Sequence, residues 1–438
     1  MMLGPVHSTD GNVTGWHGGF DFWLIKMGSG GNLLWQKCFG GPGDDMGIDM
    51  CETSDGNYIL AGTAGSNGGT VAGNHGNYDA WVVKTDTSGN LIWKKCLGGS
   101  NQDGGRSIRP TSDGGFILVG TVMSTDGNVT GNHGANDIWV VKLNPAGDLM
   151  WQKCLGGSAD DFGYCGIQTS EGGYLISGTT LSNDGDVTGL HGNQDAWVVK
   201  LDVSGNIVWQ RCLGGSQDDG GGTLQQAPDG GYIMLGYTNS NNGDVSGNHS
   251  SPDFWLVKLN QAGNLMWQKC LGSYCDDYPR SLQLTPDGGY LCAGYANCST
   301  GDVTGNHGGE DGWIVKLDSL RNIQWQKCLG GSSTDEARNI QFTADGGYFI
   351  TGFTFSNDGD VSGNHGQSDV WGVKLSGTLT NPVFNPAADS SSWSEYSGPP
   401  LNWMVLGRYF CAAAGLPDAK RTIAVRSSKI VRFMIGKE

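Results

Sequence analysis

Seven aspartates recur 58 residues apart, at Asp21, Asp79, Asp137, Asp195, Asp253, Asp311 and Asp369. Each follows a histidine by four residues, at His17, His75, His133, His191, His249, His307 and His365. A second acidic series runs through Asp45, Asp103, Asp161, Asp219, Asp277 and Asp335. Two carboxylates and an imidazole per period could serve acid–base chemistry or hold a ring of metal ions. Such residues also do purely architectural work, the Asp accepting backbone N–H bonds in its turn and the His bracing a loop. Identical residues in every repeat are what architecture requires, whereas a single active centre needs differences between repeats. Both series are therefore expected to be structural.

The same test applies to the other candidates. Asp184-Gly185-Asp186 and Asp358-Gly359-Asp360 present oxygen ligands around a flexible glycine, which suits calcium. Their counterparts are Gly68-Gly69-Thr70 and Thr300-Gly301-Asp302, however, and no D-x-D-x-D-G…E loop is present. Asp184, Asp186, Asp358 and Asp360 are thus weak calcium candidates, and no cofactor is expected. Zinc is disfavoured because the histidines recur singly. There is no G-x-S-x-G elbow, phosphate loop or H-E-x-x-H, and acids are too plentiful to single out a catalytic pair. Six of the 12 cysteines, Cys38, Cys96, Cys154, Cys212, Cys270 and Cys328, also keep the period and read as small buried hydrophobes. Cys275, Cys292 and Cys298 cluster in one unit, where a Cys292–Cys298 bridge across the strand end and loop is an open alternative to free thiols. Breaks in the repeat point to a specific ligand instead. Trp16 and Leu190 replace the Asn of G-N-H-G, Ser250 replaces the following Gly, and Tyr274 and Tyr278 add rings beside acids. Trp16, Leu190, Tyr274 and Tyr278 are the candidate ligand-binding residues, since aromatic faces beside acids and amides suit a sugar.

The elements that must position these residues follow from the repeat. D-x-W-x-V-K places Trp23, Trp81, Trp139, Trp197, Trp255, Trp313 and Trp371 in register, and W-Q-K-C or a variant places Trp35, Trp93, Trp151, Trp209, Trp267 and Trp325. Taking 137–194 as one unit, Ile138 to Leu143 and Leu149 to Leu155 form a hairpin across Pro145-Ala146-Gly147-Asp148. Gly156-Gly157-Ser158 leads to a strand near Tyr164 to Thr169, and Glu171-Gly172-Gly173 turns the chain into Tyr174 to Gly178. Helical periodicity is absent through the repeats. Four short strands per period predict an all-β propeller of four-stranded antiparallel blades. Six complete units and the first strand of a seventh are present, so either six or seven blades result. Six are favoured, because a seventh would need three strands from unrelated sequence. In up-and-down blades the tight hairpins share one face, and the long loops, such as Asn183 to Gln194, share the other with the G-G-S-x-x-D connections. The long-loop face is the candidate working face.

Composition sets the limits. The net charge of −17 disfavours a phosphate-tracking nucleic-acid binder, and no apolar run is long enough to span a bilayer. Residues 1–20 read as the end of an incomplete unit, 21–375 as the propeller, 376–400 as a Pro/Ser-rich linker and 401–438 as a basic tail, either short strands or poorly ordered. The net charge is −20 up to residue 376 and +3 beyond it.

D-A-W-V-V-K, G-N-L-x-W-Q-K-C-L-G-G-S, D-G-G-Y-I-L and D-G-D-V-T-G-N-H-G resemble bacterial secreted beta-propeller repeats of the SBBP type over about 10–375. The resemblance implies a propeller exported to the cell surface or medium, often one module of a larger protein, with no common enzymatic activity. Met1 to Asp10 lacks the basic and apolar regions of an export signal. The function expected is a non-catalytic extracellular or cell-surface binding scaffold for a glycan or protein partner. The alternatives are a secreted glycosidase or lyase using acids on the long-loop face, and a passive spacer.

Overall fold

The computed structural model describes residues 1–376 and, beyond them, the strand segments Met404–Val405 and Ile430–Met434. Most of the linker expected at 376–400, and the tail outside those two segments, fall outside the described residues. Seven four-stranded sheets form the blades of a propeller. In a typical blade Asp161–Gln168 is innermost, followed outward by Tyr174–Thr180, Asp195–Leu201 and Ile207–Leu213. Successive innermost strands lie side by side around a central opening. Among the described residues there is no helix long and apolar enough to cross a membrane.

Seven blades, not six, correct the favoured count. Each blade uses one D-x-W strand in third position, and there are seven of these. Met2–Val6 is the second strand of the seventh blade, pairing Gly4 with Trp23 as Gly62 pairs with Trp81. Only two strands come from outside the repeats, and they are split between blades. Met404–Val405 lies parallel to Met2 and Leu3 as the innermost strand of one, and Ile430–Met434 pairs antiparallel with Asp369–Leu375 as the outermost strand of the other. Phe349 and Val370 pack against Met2, Val6 and Trp23, which closes the ring.

The frame of the blade also differs from the 137–194 unit. Gly156-Gly157-Ser158 joins one blade to the next, and the long loop joins the second and third strands within a blade. The assignment of faces is unaffected, because antiparallel alternation puts both connections at the same strand ends in either frame.

The Trp side chains of D-x-W fill the spaces between sheets, and Trp81, Trp139, Trp197, Trp255 and Trp313 are at most 1% exposed. A buried indole N–H needs an acceptor. Trp139 Nε1 donates to Gln152 Oε1 at 2.8 Å, and Gln152 Nε2 donates to Thr130 O at 2.9 Å and Oγ1 at 2.6 Å. One glutamine thus ties the third strand, the outermost strand and the long loop together. The lysine of the motif works at the opposite end: Lys142, almost fully buried, pairs with Asp113 Oδ2 at 2.9 Å beneath the tight hairpins. Lys94 stands where other blades have that glutamine, and Trp81 Nε1 is left without a partner. Lys94→Gln is therefore expected to stabilise the protein by about 1 kcal/mol, read as a raised urea midpoint.

Candidate ligand-binding site

The repeated Asp and His side chains meet on the long-loop face in the way architecture requires. Asp137 is fully buried, and its Oδ2 accepts the His133 backbone N–H at 3.0 Å and contacts Nδ1 at 2.7 Å. All seven His–Asp pairs repeat this contact at 2.6–2.9 Å. The second series fastens the connection between blades. Asp103 accepts Gly99 N at 2.7 Å, Ser124 N at 3.1 Å and Ser124 Oγ at 2.6 Å. The two series approach each other around one glycine. A Cβ on Gly156 would lie 2.9 Å from Asp137 Oδ1 and 2.5 Å from Asp161 Oδ2. Burial raises the carboxyls of both Asp137 and Asp161, each against donors that favour the charge. Because the backbone bond to Asp137 survives loss of the imidazole, His133→Ala should lower stability by only about 1 kcal/mol in urea unfolding.

The junction at Asp277 departs from this pattern. Asp219 receives the hydroxyls of Thr238 and of Ser240, the latter at 2.7 Å. Ala296 and Cys298 occupy the equivalent positions beside Asp277, whose Oδ1 has no partner. Burial, with the Asp253 charge adding, pushes this carboxyl up to about 7. Cys298 is bridged to Cys275, which settles the open Cys292–Cys298 pairing in the negative. Cys292 points into the hydrophobic core and is fully buried, out of reach of the loop.

Residues that break the repeat gather where the innermost strands begin, around the central opening. Tyr278 packs against Tyr237 and Tyr295, with ring centroids 5.3 and 5.7 Å away. Gly220 makes room for this, since a Cβ there would sit 2.1 Å from the Tyr237 ring. Gln194 Nε2 donates to Tyr237 Oη. The Arg280 guanidinium lies 5.3 Å over Tyr295, and Arg106 lies 5.6 Å over Tyr164 on the neighbouring innermost strand. Glu336 is buried between two arginines, 2.8 Å from Arg338 Nη2 and 3.6 Å from Arg280 Nε. Glu310, half-buried at the rim, has its carboxyl raised by burial and by the Glu336 charge, against Arg280 and Arg338. Burial also raises the phenols of Tyr237, Tyr278 and Tyr295, so all three remain donors at neutral pH.

Of the four residues singled out in the sequence, only Tyr278 lies within this cluster. Tyr274 stands on the connection leading to it and is 65% exposed. Trp16 and Leu190 sit in the long loops of two other blades. Trp16 Nε1 donates to Gly19 O at 2.8 Å and its ring meets His7 edge-on, which is a packing role. Arg106, Tyr164, Tyr237, Arg280, Tyr295, Glu310, Glu336 and Arg338 were missed. Part of the signal was available: all occupy repeat positions that vary, and Tyr237, Tyr295, Glu310 and Glu336 do so directly beside an invariant Gly or Asp. Asp184 and Asp358 accept the Ser158 and Ser332 backbone N–H groups at 2.7 and 2.8 Å, and Asp186 and Asp360 donate their own N–H to Gly156 O and Gly330 O at 2.9 and 2.7 Å. Among the described residues no three His, Cys, Asp or Glu side chains gather as a metal centre.

No protein-family model matches the chain, and no curated protein is similar to it. Solved structures match the chain only at low identity. The Pan2 WD40 domain of Neurospora crassa is 11% identical with a TM-score of 0.42, over 74% of each chain. The α-L-arabinofuranosidase Arb93A of Fusarium graminearum is 13% identical with a TM-score of 0.44, over 70% of this chain and 87% of that one. A protein of unknown function from Bacteroides caccae is 12% identical with a TM-score of 0.41, over 74% and 93%. These likenesses carry no argument about function. The class is a seven-bladed β-propeller, established by the chain's own sheet order.

Proposed function

We propose that this chain is a non-catalytic propeller that binds a glycan at the central opening of its long-loop face, as an extracellular or cell-surface module of a larger protein. The observation that carries this reading is convergence. A passive spacer has no reason to collect its non-repeated Tyr, Arg, Glu and Gln residues at one place, and here they gather around the central opening. Their chemistry suits a carbohydrate: tyrosine faces pack on the apolar side of a sugar ring, while Arg, Glu and Gln offer planar donors and acceptors to its hydroxyls. The Cys275–Cys298 bridge supports an oxidising, extracellular setting.

A glycosidase or lyase would use Glu310 and Glu336, whose environments differ as those of an acid and its partner carboxylate do. Glu336 is only 4% exposed and is held by two guanidinium groups, which keeps its oxygens from a sugar carbon and favours a structural ion pair. The test is a pull-down on insoluble polysaccharides and cell-wall material, with released sugar assayed in the same tubes. Retention without release is expected, weakened about tenfold by Tyr278→Ala, the loss of one stacked ring. Released sugar overturns the non-catalytic reading. Failure of the folded protein to be retained on any glycan overturns the glycan reading and leaves a protein partner.

A further inference from the structure

The connection that carries Tyr274 runs radially. Leu265–Leu271 is the outermost strand of one blade and Asp277–Leu284 the innermost strand of the next, so residues 272–276 cross the long-loop face from rim to central opening. Tyr274 sits midway, with Asp276 and then Tyr278 inward of it. The equivalent residue is Ser100, Ser158, Ser216 or Ser332 in four other blades and Pro42 in another. A large exposed ring at this one position would be idle if the ligand ended at the opening.

The ring is also fixed in place. Cys275, the next residue, is bridged to Cys298 in the long loop. Tyr274 N donates to Thr300 Oγ1 at 2.9 Å, and the ring meets His249 edge-on with centroids 5.9 Å apart. His249 is itself held by Asp253 at 2.7 Å. This bracing alters the ordinary architecture, since Cys298 occupies the place of the serine that elsewhere serves the buried Asp, and Asp277 is served instead by Ser273, which stands where five other blades have glycine. Places where a repeat abandons its own rule are expected to be functional. A side chain ordered beforehand also loses less entropy on binding.

We infer that the ligand is an extended oligosaccharide chain lying along residues 272–276, with Tyr274 as the stacking platform of an outer subsite and the Tyr278 cluster as the inner one. The inference rests on the glycan reading of the central opening and adds to it that binding depends on chain length.

The test is affinity measured with dimers and hexamers of cellulose, xylan, chitin and polygalacturonate. Wild-type protein is expected to bind one hexamer about tenfold more tightly than its dimer, the contribution of one further stacked ring. Tyr274→Ala should remove that difference while leaving dimer affinity within about twofold, and Tyr274→Trp should retain it. The double variant Cys275→Ser, Cys298→Ser, which leaves the ring in place but unbraced, should weaken hexamer binding alone. Wild-type binding that is indifferent to Tyr274, or a Tyr274→Ala effect equal on dimer and hexamer, overturns this inference and leaves the central site standing. Absence of wild-type binding to every probe overturns the glycan reading and this inference together.

Discussion

Glu336→Ala is expected to destabilise the protein by about 3–5 kcal/mol, the range for removing one partner of a buried ion pair. Arg338 is 8% exposed and Glu336 4%, and the glutamate lies between Arg338 and Arg280. Removing it leaves two guanidinium groups facing one another in a region poor in water. Glu310→Gln supplies the contrast. The Glu310 charge is already opposed by burial and by Glu336, so the neutral amide should leave stability at neutral pH unchanged or slightly raised. Urea unfolding of both variants reads the difference. If Glu336→Ala unfolds at the wild-type midpoint, the cluster is not the buried network described, and its role as the rigid floor of a site fails with it.

Stability is expected to be greatest near pH 5 and to fall towards pH 8. Asp277 titrates near its ordinary value when unfolded and at about 7 when folded, and Asp253 and Asp311 rise to about 6. Between these limits the folded state binds more protons than the unfolded one. Stability from these groups is therefore full below the unfolded value and is lost as pH rises through the folded one. The hairpin-face acids act in the opposite sense. Asp113, Glu171, Asp287 and Asp345 are held down to about 2, each against its own burial, by hydrogen bonds that include a nearly buried lysine. Their contribution is lost as pH falls below about 4. Asp277→Asn tests the first arm, because the amide oxygen can still accept the Ser273 N–H. It should stabilise the protein by about 2 kcal/mol at pH 8, with the gain vanishing near pH 4. A flat melting temperature across this range, or no gain from Asp277→Asn at pH 8, would sink the account.

The candidate site was legible only in part, for a reason visible in its residues. Regularity draws the eye to Asp137 and His133, and regularity is what a closed ring imposes on every junction. The residues that differ between blades, such as Tyr237, Arg280 and Glu336, look like noise along the chain. They belong to different blades, on two neighbouring strands of the repeat, and share a location only because the second and innermost strands begin or end on one face around one axis. Tyr278 was found because it is aromatic beside acids, whereas Glu336 follows another acid and is lost among them.

By itself the sequence determined the strand pattern, the antiparallel pairing, the two classes of turn and the face each occupies. These follow from local alternation and a constant period, which need no knowledge of long-range contacts. A period is the same wherever it is cut, so it could not say where a sheet begins, and only the tertiary structure placed the blade boundary at Gly-Gly-Ser. Nor could it count the blades, because closure depends on Met2–Val6 and on two tail strands that carry no repeat signal. The Cys275–Cys298 bridge was likewise decided in three dimensions, by the connection between blades coming to lie against the long loop.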